Sequence, residues 1–170
     1  MRGTVFLMFE AYVVERRGHD AFEDVLDAVA GRLITSDPFI GPMTYPDEDL
    51  LTLVDAEAVT ERMTRGELLY DLGAFGFARL IRRYQWMVAG HRSLSAFLAH
   101  VRRAVGDSTQ LELEIGPPLR VAYASPPMLC ALVEGLLVGA GRYFKSPLQL
   151  AQHACVDRGD PSCVWEGLAA

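Results

Sequence analysis

No apolar run in the 170 residues approaches the roughly 20 that a membrane-spanning helix needs, so no segment is expected to cross a bilayer. Basic residues are also scarce, with 16 Lys and Arg against 22 Asp and Glu, a net charge of −6. That balance argues against a nucleic-acid surface. The opening Met1–Glu10 is too short in its apolar part and turns acidic too soon for a secretory leader, so a reducing cytoplasm is the expected compartment. There is no internal repeat, linker or low-complexity segment. Nor is there a phosphate-binding glycine loop or a nucleophile–base–orienter signature, and an enzyme is not expected. Cysteine is limited to three residues, an odd number that suits thiols better than a disulfide framework.

All three cysteines lie in the last third of the chain, which organises the rest. Cys130 sits near the start of an apolar helical run, and Cys155 and Cys163 flank Arg158-Gly159-Asp160-Pro161-Ser162. That intervening run has hairpin chemistry, with Gly free of Cβ and Pro fixing φ. A hairpin brings Cys155 across from Cys163, close to the helix bearing Cys130. Three thiols converging from a helix and two strands suit a metal better than a disulfide.

The N-terminal half reads as helices. Val5, Met8, Phe9, Tyr12 and Val13 have helical spacing; Gly18 stops that helix, and Asp20 can cap a second through Val29 to Gly31. Pro38, Gly41, Pro42 and Pro46 force a loop. Asp47, Glu48 and Asp49 open a third helix, Leu50 to Met63, and Thr64-x-x-Glu67 is a capping box for a fourth. Ser93 or Ser95 caps a fifth, carrying Phe97, Leu98, Val101 and Val105. The period then changes. Leu111, Leu113 and Ile115 alternate with polar residues, Leu119, Val121 and Tyr123 make a hairpin partner, Met128 to Phe144 is helical, and strands follow at Leu148–Val156 and Cys163–Trp165. The fold class is α+β, a helical part with an antiparallel sheet crossed by one long helix.

The opening M-R-G-T-V-F, the run Y-P-D-E-D-L-L-T-L-V, F-G-F-A-R-L, Tyr123-x-Ser125 and E-G-L-L-V-G-A resemble, in order and spacing, the H-NOX (haem nitric-oxide/oxygen-binding) family over essentially the whole chain. The resemblance implies an H-NOX-like fold, with an N-terminal helical subdomain at 1–62 and a sheet-and-helix subdomain at 63–170. It implies sensing rather than catalysis, and a partner such as a histidine kinase or a cyclic-di-GMP enzyme. Two departures set this sequence apart. The family's proximal histidine falls late on the fifth helix, where this chain reads Val101-Arg102-Arg103-Ala104-Val105 with no axial donor. The family's Y-x-S-x-R propionate clamp becomes Tyr123-Ala124-Ser125-Pro126-Pro127, so a proline replaces the arginine. Haem is therefore not expected. Tyr123 and Ser125 would serve only a haem-like ligand, and His100, about one and a half turns early, is the remaining imidazole for an unusual axial bond.

Some H-NOX proteins, and the vinyl-reductase-like sensor domains that share this C-terminus, bind zinc through one helix cysteine and two hairpin cysteines. The resemblance carries that role onto Cys130, Cys155 and Cys163. Gln152 stands where the relatives place a fourth ligand, and an amide is a poor donor to zinc. His153, recruited by a one-residue shift or a bulge, is the expected substitute, with Asp157 or water as the other choices. Such a site is either structural or redox-sensing. An alternative use of the fold is a cavity near Phe75, Phe77, Phe97 and Leu98 that hosts another apolar ligand.

Overall fold

The computed structural model describes residues 1–105, 111–124 and 129–169. By its internal contacts the chain divides into two compact units, Met1–Leu72 and Gly73–Ala170, and one long helix belongs to both.

The first unit is helical. Helix α1 spans Gly3–Arg17, α2 spans His19–Ala28 and α3 spans Asp47–Glu61; α4, Arg65–Arg83, begins here. Asp20 lies in the first turn of α2 rather than capping it, because Gly18 at φ 95° already occupies the cap position and directs its N–H to Val14 O. The helix also ends earlier than Gly31, at Ala28. The acidic triplet Asp47, Glu48 and Asp49 forms the first turn of α3, where the helix dipole favours negative charge. Asp49 has a further use: it is buried, and its two oxygens accept the N–H groups of Ile34 (2.7 Å) and Thr35 (3.1 Å), which pins the proline-rich loop. The expected capping box opens α4. Thr64 N–H donates to the Glu67 carboxylate (2.8 Å), and Glu67 N–H donates back to Thr64 Oγ1 (3.2 Å). Phe6, Phe9, Tyr12 and Val13 of α1, Leu50 and Leu53 of α3, and Leu68, Leu69 and Leu72 of α4 are buried, and α2 adds Ala21 and Val25.

The second unit continues α4 and adds α5 (Leu94–Val105), strands β1 (Leu111–Glu114) and β2 (Leu119–Tyr123), helix α6 (Cys130–Tyr143), and strands β3 (Leu148–Ala154) and β4 (Cys163–Ala169). Of the two serines, Ser93 is the cap, its Oγ accepting the Ala96 N–H at 3.2 Å. The four strands form an antiparallel sheet in the order β1-β2-β4-β3. Strand β3 stops at Ala154, short of Val156, and a 3₁₀ turn at Val156–Arg158 takes over; β4 runs four residues beyond Trp165. The β3–β4 ladder contains a bulge. Gln152 pairs with Trp165 and Ala154 with Val164, so His153 is the extra residue.

Trp165 is fully buried at the centre of this unit, among Phe77, Phe97, Leu98, Val121 and Leu137. Its indole N–H reaches Glu134 on α6 (3.2 Å), which satisfies the one polar atom of the ring. Helix α6 approaches the second part of α4 closely at Gly139. A Cβ there would stand 2.8 Å from Ala74 O and from Phe77 Cβ, so only glycine fits.

Candidate metal centre

The thiol site is built at the junction of α6 with the β3–β4 turn. Cys130 is the first residue of α6, Cys155 follows the last residue of β3, and Cys163 opens β4. The turn between the last two is held locally. Arg158 N–H and Asp160 N–H both donate to Cys155 O (2.9 and 3.2 Å), and the Asp160 carboxylate accepts the Cys155 N–H at 2.8 Å. Gly159 sits at φ 93°, a left-handed conformation that side chains beyond glycine rarely adopt. The Arg-Gly-Asp-Pro-Ser run thus folds back as its composition leads one to expect.

The three sulfurs lie within 4.8 Å of one another, all buried. Cys130 Sγ is 3.7 Å from Cys155 Sγ, and Cys155 Sγ is 3.9 Å from Cys163 Sγ. All three are free thiols. Burial pushes the Cys130 thiol far above the ordinary range, with the neighbouring sulfurs adding to it, and burial raises Cys163 despite a hydrogen bond from Val156 N–H to its sulfur (3.4 Å). Both shifts favour the protonated thiol at Cys130 and Cys163. A divalent cation reverses that preference, because thiolates are its ligands and each deprotonation is offset by the bond formed.

The fourth position is less complete. His153, the bulge residue, is exposed on β3 with its Nε2 3.3 Å from Glu166 Oε2. Among the described residues, the set of His, Cys, Asp and Glu side chains whose donor atoms converge holds the three cysteines, with neither His153 nor Asp157. The bulge exists where a recruiting bulge was expected, but it presents the imidazole to Glu166. Gln152 is half-buried on the same strand. Asp157, in the 3₁₀ turn, comes nearer: its Oδ2 accepts from Cys130 Sγ at 3.4 Å. No sequence signal singled Asp157 out from His153, since both flank Cys155 by two residues.

The remaining candidates fall elsewhere. Tyr123 ends β2 and pairs with Cys163 across the ladder; Ser125 lies outside the described residues. His100, on α5, stands ring to ring with His91 at 4.9 Å. The end of α5 carries exposed Arg102 and Arg103, with no axial donor in Val101–Ala104. Phe77, Phe97 and Leu98 are buried against one another's surroundings, the two rings edge to face at 5.6 Å, while Phe75 is half-buried beneath the Arg79 guanidinium at 5.2 Å.

The chain matches the family described as Haem-NO-binding over residues 2–152. It belongs to the H-NOX family. No curated protein matches it in sequence. Solved H-NOX structures share its fold along the whole chain. The S. oneidensis H-NOX protein in its Fe(II)NO ligation state superposes with a TM-score of 0.85 at 20% identity, covering 100% of this chain and 99% of that one. The unliganded Fe(II) H-NOX from K. algicida gives 0.80 at 16%, covering 100% and 97%. The IWP-051-bound H-NOX from Shewanella woodyi gives 0.79 at 18%, covering 100% and 95%. The α+β architecture expected of an H-NOX domain is the one observed.

Proposed function

We propose that this H-NOX domain is a haem-independent signalling domain whose three-thiol cluster holds zinc. The observation that carries the reading is the convergence of Cys130, Cys155 and Cys163 within 4.8 Å at a buried corner of the second unit. Zinc takes tetrahedral thiolate sets readily, and such a site ties the start of α6 to both ends of the β3–β4 turn. Asp157 is the fourth donor in this reading, because its carboxylate already contacts Cys130. Water is the substitute.

Haem is a poor fit to these residues. Iron in this family's position needs an axial donor at the end of α5, and Val101–Ala104 offers aliphatic and guanidinium side chains. The clamp arginine is Pro127. A second reading keeps haem, and the family match favours it directly; there His100 would take the iron. In either reading the output is a protein contact, with a histidine kinase or a cyclic-di-GMP enzyme as the partner, and no catalysis by this chain.

The zinc site also supports redox sensing. A peroxide takes two electrons from two thiolates, an S–S bond forms, two hydroxides leave, and zinc loses two of its ligands. Cys130 and Cys155, 3.7 Å apart, are the pair set for that step. Elemental analysis with an absorption spectrum on freshly purified protein tests the whole reading. About one zinc per chain without a Soret band supports it; haem with little zinc overturns it in favour of His100. Zinc retained under peroxide removes the redox role and leaves a structural site.

A further inference from the structure

The first unit holds a cavity of about 320 Å³ between α1, α2 and the loop that precedes α3. Its walls are mainly apolar, with Phe6, Phe22, Phe39 and Leu53 among them, and Phe6 and Phe39 stack at 4.1 Å. Glu10 lies one helical turn beyond Phe6, so both side chains leave α1 on the same face and line the same cavity. Glu10 is half-buried and makes no hydrogen bond or ion pair among the described residues. Asp37 adds a second carboxylate on the loop, and no basic residue lines the cavity.

That combination is costly in isolation. A carboxylate drawn into an apolar wall gives up hydration, and no hydrogen bond or ion pair among the described residues compensates it. The two buried carboxylates of this unit each have a partner: Arg17 reaches Glu57 Oε2, and two backbone N–H groups reach Asp49. The surrounding field deepens the preference for positive charge, since the unit carries fifteen acidic side chains against six basic ones. Aromatic faces attract cations too, most strongly where water is excluded. A hard metal ion would want several oxygen donors instead of rings. We propose that this cavity binds a small organic cation, an alkylated ammonium whose charge sits against Glu10 and whose carbon groups pack on Phe6, Phe22 and Phe39.

Choline and its neutral carbon isostere, 3,3-dimethylbutan-1-ol, differ in charge and hardly in shape, which makes them the probes. Titration into the full chain, followed by amide chemical shifts, should show saturable binding of choline centred on Thr35, Ser36 and Phe39. Choline should bind at least about tenfold more tightly than the isostere. Glu10→Gln should cut choline binding by about tenfold and leave the isostere unchanged, while Phe39→Ala should weaken both. Equal binding of the two probes, shifts centred elsewhere, or a folded Glu10→Gln protein that binds choline as before would overturn the proposal. Circular dichroism establishes that each variant is folded. Should Glu10→Gln fail to fold, the two-probe comparison and Phe39→Ala on an otherwise native chain decide alone.

Discussion

Both units bury a polar cluster, and the two clusters are finished differently. In the first, Glu57 is enclosed (0% exposed) and an opposite charge stands beside it: Arg17 reaches its Oε2 at 2.7 Å, its Oε1 has no hydrogen-bond partner among the described residues, and Arg16 and Arg17 both reach Glu61. In the second, three thiols converge within 4.8 Å, with the Asp157 carboxylate against Cys130. A buried ion pair carries its own countercharge. A buried trio of identical soft donors carries no countercharge of its own, and its thiolates would be ligands to a cation. What separates a structural cluster from a candidate site is therefore whether the chain supplies the countercharge, more than how polar or how buried the cluster is.

Breaking the open cluster should have the largest effect. Cys155→Ala should reduce bound zinc from about one per chain to none by elemental analysis, and Asp157→Ala should weaken retention against a chelator without abolishing it. Breaking the closed cluster comes next. Arg17→Ala leaves Glu57 enclosed without its partner and should cost about 2 kcal/mol in urea unfolding, less than for a fully enclosed pair because Arg17 is 27% exposed. Adding Glu57→Gln to that background should recover most of the loss, and zinc content should not change in either protein.

The closed cluster also has a pH signature. Burial raises the Glu57 carboxyl above its ordinary range, and the hydrogen bond and charge of Arg17 pull it only part of the way back. The folded state then holds that proton more tightly than the unfolded chain does. The resulting stability is fully present below the ordinary carboxylate pKa and is lost as pH rises through the raised value. Glu57→Gln should flatten the decline in that window, measured as the urea midpoint against pH. The smallest effect belongs to a group outside both clusters: Thr64→Ala removes half of the capping box and should cost about 1 kcal/mol while leaving zinc untouched.

Periodicity and caps made the helices and the first hairpin legible, because α1, α3 and β2 bury one regular stripe each and Thr64-x-x-Glu67 announces its own geometry. The helix ends were less so. Gly18 took the cap position that Asp20 was expected to fill, and a left-handed glycine and an aspartate are both acceptable there. At the thiols, the turn residues Gly159 and Asp160 were enough to bring Cys155 to Cys163. The fourth donor was not readable, since His153 and Asp157 lie equally far from Cys155 in sequence. A bulge and a 3₁₀ turn set their surroundings, with His153 beside Glu166 and Asp157 beside Cys130. The pocket at Glu10 left no sequence signature, because Phe22, Phe39 and Glu10 meet only through the path of a loop.

The bulge gives His153 a role that does not depend on its imidazole. Along a strand, side chains alternate faces, so a ladder has a parity as well as a register. Counting back from Gln152 opposite Trp165, unbroken pairing would set Ala154 against Cys163 and turn Cys155 to the outer face. One uncounted residue moves the phase by one, and Cys155 comes round to the side of Cys163, its sulfur 3.9 Å away. The strand is thus read in two frames, one before His153 that serves the Trp165 core and one after it that serves the thiols. Any side chain at 153 preserves that arithmetic, whereas removing the residue altogether would dismantle the cluster while leaving every cysteine in the sequence.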